Sequence, residues 1–237
     1  MRLHRFIGEY DISKKTIRIE DAEFMNQTVN VLRLRINDEL ILVERGVGEA
    51  RCKINAINDE FVEIEVLDRS PARKESIREI TLYCSILKRE NFEFAVQKAT
   101  ESGVTRIVPI LAARTVKLNI NEERLKKIAS EAAEQSGRIT VPEIAPMMTL
   151  AASLKNVKAH NDTVVLFDGT GAQMHVSNFK IGSRIAIYVG PEGGWEESEV
   201  STAAEAGVEV LNLGPLTLRA ETAAIIGTYL LCQQKND

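Results

Sequence analysis

The chain is poor in the residues that build metal sites and disulfide frameworks. It has three cysteines and three histidines in 237 residues. Cys52, Cys84 and Cys232 are isolated, odd in number and form no Cys-x-x-Cys pair. That pattern suits a reducing cytoplasm and argues against structural zinc. His4, His160 and His175 share no helical or hairpin spacing, so no metal is expected in the mechanism. No apolar run approaches the roughly 20 residues of a membrane helix, so no membrane span is expected. Met1 leads into charged residues without the apolar stretch of a secretory signal. A P-loop is also missing, since Gly-x-x-x-x-Gly-Lys-Ser/Thr does not occur. Gly169-Thr-Gly-Ala-Gln-Met174 starts like a dinucleotide fingerprint but has Met174 where the third glycine belongs. It reads as a plain turn after a strand.

What the chain does have is two glycine-rich blocks near its C-terminal end. One is Ile185-Ala-Ile-Tyr-Val-Gly-Pro-Glu-Gly-Gly-Trp195, and the other is Val210-Leu-Asn-Leu-Gly-Pro-Leu-Thr-Leu-Arg-Ala-Glu-Thr222. Each is an aliphatic run that stops at Gly-Pro, which reads as a buried strand ending in a tight loop. A helical pattern follows both. Glycine allows close backbone approach, and proline stiffens the loop. Loops at the carboxyl ends of strands are where an open α/β sheet holds a small molecule. The plain alternative is a pair of ordinary strand-to-helix turns.

The first seventy residues read as short strands at Thr16–Ile19, Glu39–Val43, Ala50–Ile57 and Phe61–Leu67, with a short helix at Glu23–Leu34. Asn58-Asp59 reads as a hairpin turn. Ser70-Pro-Ala-Arg-Lys-Glu-Ser76 is polar and carries Pro71, so it marks a boundary between residues 1–72 and 73–237. Beyond it, strands at Ile80–Leu87, Arg106–Leu111, Thr163–Asp168, Arg184–Val189 and Glu209–Leu213 alternate with helices at Phe92–Ser102, Asn121–Ser136, Thr149–Asn156, Glu196–Ala206 and Ala220–Gln233. Such alternation predicts an α/β domain with a mainly parallel sheet covered on both faces. The formal net charge is −4, yet residues 73–138 hold 13 basic and 9 acidic residues. This segment is the expected footprint for phosphate, although a solvated helix face with Glu122 and Lys126 at i,i+4 would look the same.

Gly190-Pro-Glu-Gly-Gly194 and Leu213-Gly-Pro-Leu-Thr-Leu-Arg-Ala-Glu-Thr-Ala223 resemble the signature loops of the small-subunit ribosomal RNA methyltransferase E family, a branch of the SPOUT methyltransferases. Leu87–Gly103, Glu131-Ala-Ala-Glu-Gln-Ser-Gly-Arg138, Val141-Pro-Glu143, Arg5-Phe6 and Val29–Arg35 are similar to further family motifs in the same order. The resemblance therefore spans nearly the whole chain. It implies a PUA-like β-barrel that binds RNA, followed by a SPOUT domain with a C-terminal trefoil knot, forming a homodimer. Three positions depart from the family pattern. Leu216 stands where arginine is common, Ala220 where threonine is frequent, and Gln27-Thr28 where histidine often precedes the Val-Leu-Arg segment. Leu216 leaves Arg219 as the only basic side chain of its loop.

The resemblance implies transfer of a methyl group from S-adenosylmethionine to N3 of a uridine in 16S ribosomal RNA, free or within the small ribosomal subunit. It places the cofactor among three strand-end loops: Leu166, Phe167, Asp168 and Gly169; Gly190, Pro191, Glu192, Gly193 and Gly194; and Leu213, Gly214, Leu216, Leu218 and Thr222. Arg219 is the first catalytic candidate, as a cation that orients uracil or stabilises its anion. The alternative for Arg219 is an ion pair with Glu221. Arg138, at a helix C-terminus, is the second candidate, against ordinary pairing with the helix dipole. Glu192 faces either the cofactor's cationic part or the next helix's N-terminus. Arg5, Arg33, Arg35, Lys88, Arg89 and Arg114 are candidate RNA contacts. Trp195 could stack on a base, though core packing is commoner. Phe92 and Phe94, with Val96 and Ala99, read as helix core.

Overall fold

A computed structural model describes residues 3–71, 78–116, 120–155, 157–174 and 182–233, the side chain of Arg89 excepted. Most of the expected boundary, residues 72–76, lies outside them, as do Asn156 and His175. The described chain forms two compact units. Residues 3–71 and 133–141 make the first; residues 78–132 and 142–233 make the second.

The first unit is a five-stranded sheet in the order β1-β3-β4-β5-β2. The strands are β1 His4–Gly8, β2 Thr16–Ile19, β3 Glu39–Glu44, β4 Gly48–Ile57 and β5 Val62–Pro71. Alternation decides what is buried: Val62, Ile64 and Val66 of β5 enter the core, while Glu63 and Glu65 do not. The side chain of Asn58 accepts the N–H groups of Glu60 and Phe61, which fixes the β4–β5 hairpin. Strand β1 was not expected. Its Arg5 is largely buried beside Glu49 at 2.6 Å, so an inward arginine interrupts the apolar pattern.

The expected helix at Glu23–Leu34 is only partly α-helical. Asp21 caps a single turn, α1 Ala22–Met25, by accepting the Phe24 N–H at 2.7 Å. Residues 26–31 continue as a wider turn, with Leu32 N–H donating to the Gln27 carbonyl. The β-branched Thr28, Val29 and Val31 favour this loosening. Arg33 then takes a left-handed φ of 56° and ends the turn.

The second unit is a parallel sheet in the order β12-β10-β11-β6-β7-β8, with β9 also pairing β7. Its strands are β6 Glu79–Ser85, β7 Arg106–Leu111, β8 Glu143–Ile144, β9 Met148–Thr149, β10 Thr163–Gln173, β11 Arg184–Val189 and β12 Glu209–Asn212. The helices are α2 Arg89–Glu101, α3 Glu122–Ser136, α4 Leu150–Leu154, α5 Val157–His160, α6 Glu197–Glu205 and α7 Ala220–Gln233. The end of α3 groups with the first unit, where Ala133 and Ile139 pack with Ile7 and Val43.

Val164, Leu166, Ala186 and Tyr188 point from one sheet face into a core shared with residues of α4, α5 and α6. By alternation Phe167 points the other way, where its ring meets α7 at Gly227. Helix α7 packs on α2, β6 and β11. Ala224, Thr228 and Leu231 are each 0% exposed within the chain. These three positions of α7 are therefore core. Ile225, Ile226 and Tyr229 lie further out, with Tyr229 54% exposed.

Candidate active site

The sheet register aligns the strand ends. Phe167 of β10 pairs with Val189 of β11 on one side and Leu211 of β12 on the other, and Val189 pairs in turn with Cys84 of β6. The loops that follow β10, β11 and β12 thus leave the sheet along one row. The 168–171 segment bulges out, and the ladder resumes where Ala172 also pairs with Leu211. Among the bulge residues, Asp168 accepts from the Thr170 N–H at 2.8 Å and its hydroxyl at 2.6 Å. A Cβ on Gly169 would meet nothing, whereas one on Gly171 would sit 2.7 Å from the Leu211 backbone.

The loop after β11 is locked from beneath. Trp195 is 5% exposed and donates its indole N–H to the Phe167 carbonyl at 3.1 Å. It is a packing residue, and base stacking is not open to it in this arrangement. A Cβ on Gly190 would come within 3.0 Å of its ring. Pro191 is buried, and its carbonyl accepts from Gly194, which has a φ of 71°. Gly193 has no such constraint: a Cβ there would rest 3.4 Å from the Arg114 side chain.

Glu192 bonds to a neighbouring loop and does not cap the helix that follows it. Its carboxylate accepts the Lys88 N–H at 2.9 Å, just before α2, so it ties the first glycine-rich loop to the end of β6. Helix α6 has its own capping box from Glu196 and Glu199. Glu199 also accepts the Ala113 N–H at 2.8 Å.

The loop after β12 is more open. Asn212 organises its start, donating to the Gly171 carbonyl at 2.7 Å and accepting from the Gly214 N–H at 3.2 Å. Gly214 has a φ of 141°, a conformation that excludes a side chain. Leu213, Leu218 and Thr222 are half-buried. Leu216 is 78% exposed, so it does not wall a closed apolar slot. The Arg219 side chain is 84% exposed, while that of Glu221 two residues on is only 10% exposed and lies 4.0 Å away. Burial pushes the Cys84 thiol up to about 12, with Glu192 and Glu221 adding to the shift. Both carboxylates therefore lie close enough to the end of β6 to be felt there.

The other cations divide clearly. Arg33 and Arg35 are exposed in the first unit, and Lys88 is exposed in the second. The side chain of Arg89 lies outside the described residues. Arg114 donates to the Gly193 carbonyl at 2.9 Å, which fastens it to the first loop. Arg5 is 11% exposed and committed to Glu49, so it is not a surface contact. Arg138 is 7% exposed in the first unit and donates to the Thr140 hydroxyl at 3.1 Å. Among the described residues no group of three or more His, Cys, Asp or Glu could hold a metal ion, and no helix is long and apolar enough to cross a membrane. A hollow of about 260 Å³ opens between α4 and α6, lined by Leu111, Thr149, Leu154, Ser198 and Thr202 among others. No residue of the three loops lines it.

Sequence reasoning missed Asn212 and undervalued Glu221. The one available signal for Glu221 was its place in an otherwise apolar helical pattern, in step with Ala224 and Thr228. For Asn212 the local signal was its place two residues before Gly214, while its bond to Gly171 comes from another strand and left none.

A family described as RNA methyltransferase domain matches residues 73–231, and one described as RNA methyltransferase PUA domain matches residues 29–67. The chain is similar to ribosomal RNA small subunit methyltransferase E of Bacillus subtilis, at 31% identity over 90% of this chain and 88% of the relative. A crystal structure of ribosomal RNA small subunit methyltransferase E from Neisseria gonorrhoeae bound to S-adenosylmethionine superimposes with a TM-score of 0.82, at 28% identity, covering 96% of this chain and 95% of that one. A methyltransferase from Legionella pneumophila in complex with the same cofactor gives 0.86 at 25% identity, covering 98% and 97%.

Proposed function

The chain belongs to the small-subunit ribosomal RNA methyltransferase E family, and from that premise we propose that it methylates N3 of one uridine in 16S ribosomal RNA. It is an S-adenosylmethionine-dependent ribosomal RNA methyltransferase. The observation that carries the proposal is the single row of strand ends from which the three loops emerge, with an exposed arginine on one of them. We further read the first unit as a PUA-like barrel. The match over residues 29–67 supports this. We read the C-terminal path as a trefoil knot. In its support, β12 sits at one sheet edge while α7 returns to pack on β6 and β11.

The residues fit the cofactor's chemistry. Gly194 and Gly214 hold backbone where no side chain intrudes, and Leu213 and Leu218 offer apolar surface for a purine. Glu192 and Glu221 give the region near β6 a negative character that suits a cation. S-adenosylmethionine supplies, when bound, a methyl already activated on a sulfonium, so the protein mainly has to align it.

Arg219 does the rest of the assigned work. It stays protonated, so it is not a base. It holds the uracil in line and balances the negative charge on O2 or O4 as N3 loses its proton. N3 lies on the Watson–Crick edge, so the target uridine is unpaired or flipped out. Arg33, Arg35 and Lys88 contact phosphates, which position the RNA without reading its sequence. Arg138 is withdrawn from solvent, and the proposed chemistry rests on Arg219 alone. A homodimer would use the outer side of α7, around Ile225 and Tyr229.

The test is transfer of labelled methyl from S-adenosylmethionine to 16S RNA or small subunits, followed by digestion to nucleosides. Label in 3-methyluridine is expected. Label in another nucleoside would move the target, and cofactor binding without transfer to either RNA substrate would make the chain a binding factor.

A further inference from the structure

Glu221 is a buried carboxylate without adequate partners. It is the second residue of α7, and 8% of it is exposed. One oxygen, Oε2, is shut away from solvent with no hydrogen-bond partner. The other, Oε1, has the Arg219 guanidinium 4.0 Å away, too long for a hydrogen bond. Burying a charge this way is costly unless something is gained. An alanine at 221 would extend the apolar pattern of α7 at no such cost.

Arg219 is the mirror case. Its side chain is 84% exposed, and Glu221 is the carboxylate at ion-pair distance. A long side chain held by so little samples many rotamers, and an arginine that must meet a base edge in one geometry cannot be left to do so. Glu221 is fixed, because α7 packs on α2, β6 and β11 and its next turn is anchored by fully buried Ala224. The guanidinium has five N–H donors in a rigid fork, enough to meet a carboxylate along one edge and a uracil oxygen along another.

We propose that Glu221 is a positioning residue that holds Arg219 in its working orientation when RNA binds. Closing the 4.0 Å gap as water leaves gives the buried carboxylate its missing donors and aims the free edge of the fork at the base. Glu221 touches neither substrate nor methyl; it acts through Arg219. The proposal rests on the role given to Arg219 above.

A double-mutant cycle tests it, using the full chain in single-turnover methylation at saturating RNA and cofactor. Arg219→Ala, Glu221→Gln and the double variant are compared with the wild type, alongside cofactor affinity by calorimetry and the melting temperature. Glu221→Gln should slow the chemical step at least tenfold, leave cofactor affinity unchanged, and add nothing further in the Arg219→Ala background. A merely structural role would instead multiply with Arg219→Ala, and that result overturns the proposal. So does a wild-type rate for Glu221→Gln. A wild-type rate for Arg219→Ala overturns this inference together with the role of Arg219, which separates the two failures. Should Glu221→Gln not fold, Glu221→Asp runs the same cycle, because it keeps the charge but shortens its reach. Its rate should also fall, and again only where Arg219 is present.

Discussion

Two charged residues of the second unit show how setting decides what an ion pair does. Arg184 donates its side chain and its backbone N–H to Asp162, at 2.9 Å each, and Ser183 adds its hydroxyl. These bonds, the Arg184 side chain first, hold the Asp162 carboxyl well below the usual carboxylate range. A depressed folded-state value contributes stability that is fully present above the unfolded value near 4 and is lost as pH falls through the folded one. Asp162→Asn should therefore lower the melting temperature at pH 7, with the difference shrinking as pH drops below about 4. A pH-independent difference would show that the bonds, and not the charge, matter. Arg219 has no such cage. Its removal should leave stability nearly untouched while slowing single-turnover methylation by about 10²-fold or more, the usual loss for one donor to a developing anion. A loss confined to RNA affinity would reassign it to substrate binding. At this scale the sequence exposed Arg219 and the glycines, because motif order carried them. It did not separate Arg5, which is buried on Glu49, from Arg33, which is exposed. Exposure depends on partners from other strands, and a linear pattern does not contain them.

The elements of the second unit were largely legible. Arg106–Leu111, Arg184–Val189 and Ala220–Gln233 stand where hydrophobic periodicity put them. The two-residue strands β8 and β9 were too short to show a period, and β10 runs on past Asp168 because its bulge lets pairing resume. In the first unit, β1 stayed hidden behind the inward Arg5. Glycines tell the same story at finer grain. The sequence weighted Gly193 with its neighbours, yet Gly194 and Gly214 carry the positive φ values. Gly214→Val should weaken cofactor binding in calorimetry by far more than Gly193→Ala, which should bind nearly as the wild type does. Equal effects at the two positions would place the cofactor elsewhere. Gly227→Ala tests the packing of α7, since the new Cβ would clash with the Phe167 ring. Overpacking of this kind costs about 1–3 kcal/mol, which denaturant unfolding would read.

For the whole molecule, charge distribution matters more than net charge. An acidic chain that binds RNA must do so through few cations, so its affinity should fall with salt by a slope no larger than those few phosphate contacts allow. Arg33→Glu with Arg35→Glu, or Lys88→Glu, should weaken RNA binding and flatten the salt dependence while cofactor affinity stays constant. Unchanged RNA affinity and salt slope in both variants would place the footprint elsewhere. Composition pointed to a boundary at Ser70–Ser76, but it gave no sign that residues 133–141 group with the first unit. That grouping depends on Ala133 and Ile139 clustering with Ile7 and Val43, residues from the far end of the chain's first unit. The most direct test of N3 methylation is primer extension across 16S ribosomal RNA from cells lacking this protein, with and without the chain restored. A methyl on N3 blocks Watson–Crick pairing, so reverse transcriptase should stop at one uridine with the wild-type chain, read through without it, and stop only weakly with Arg219→Ala. Identical stops in cells with and without the protein would contradict the account.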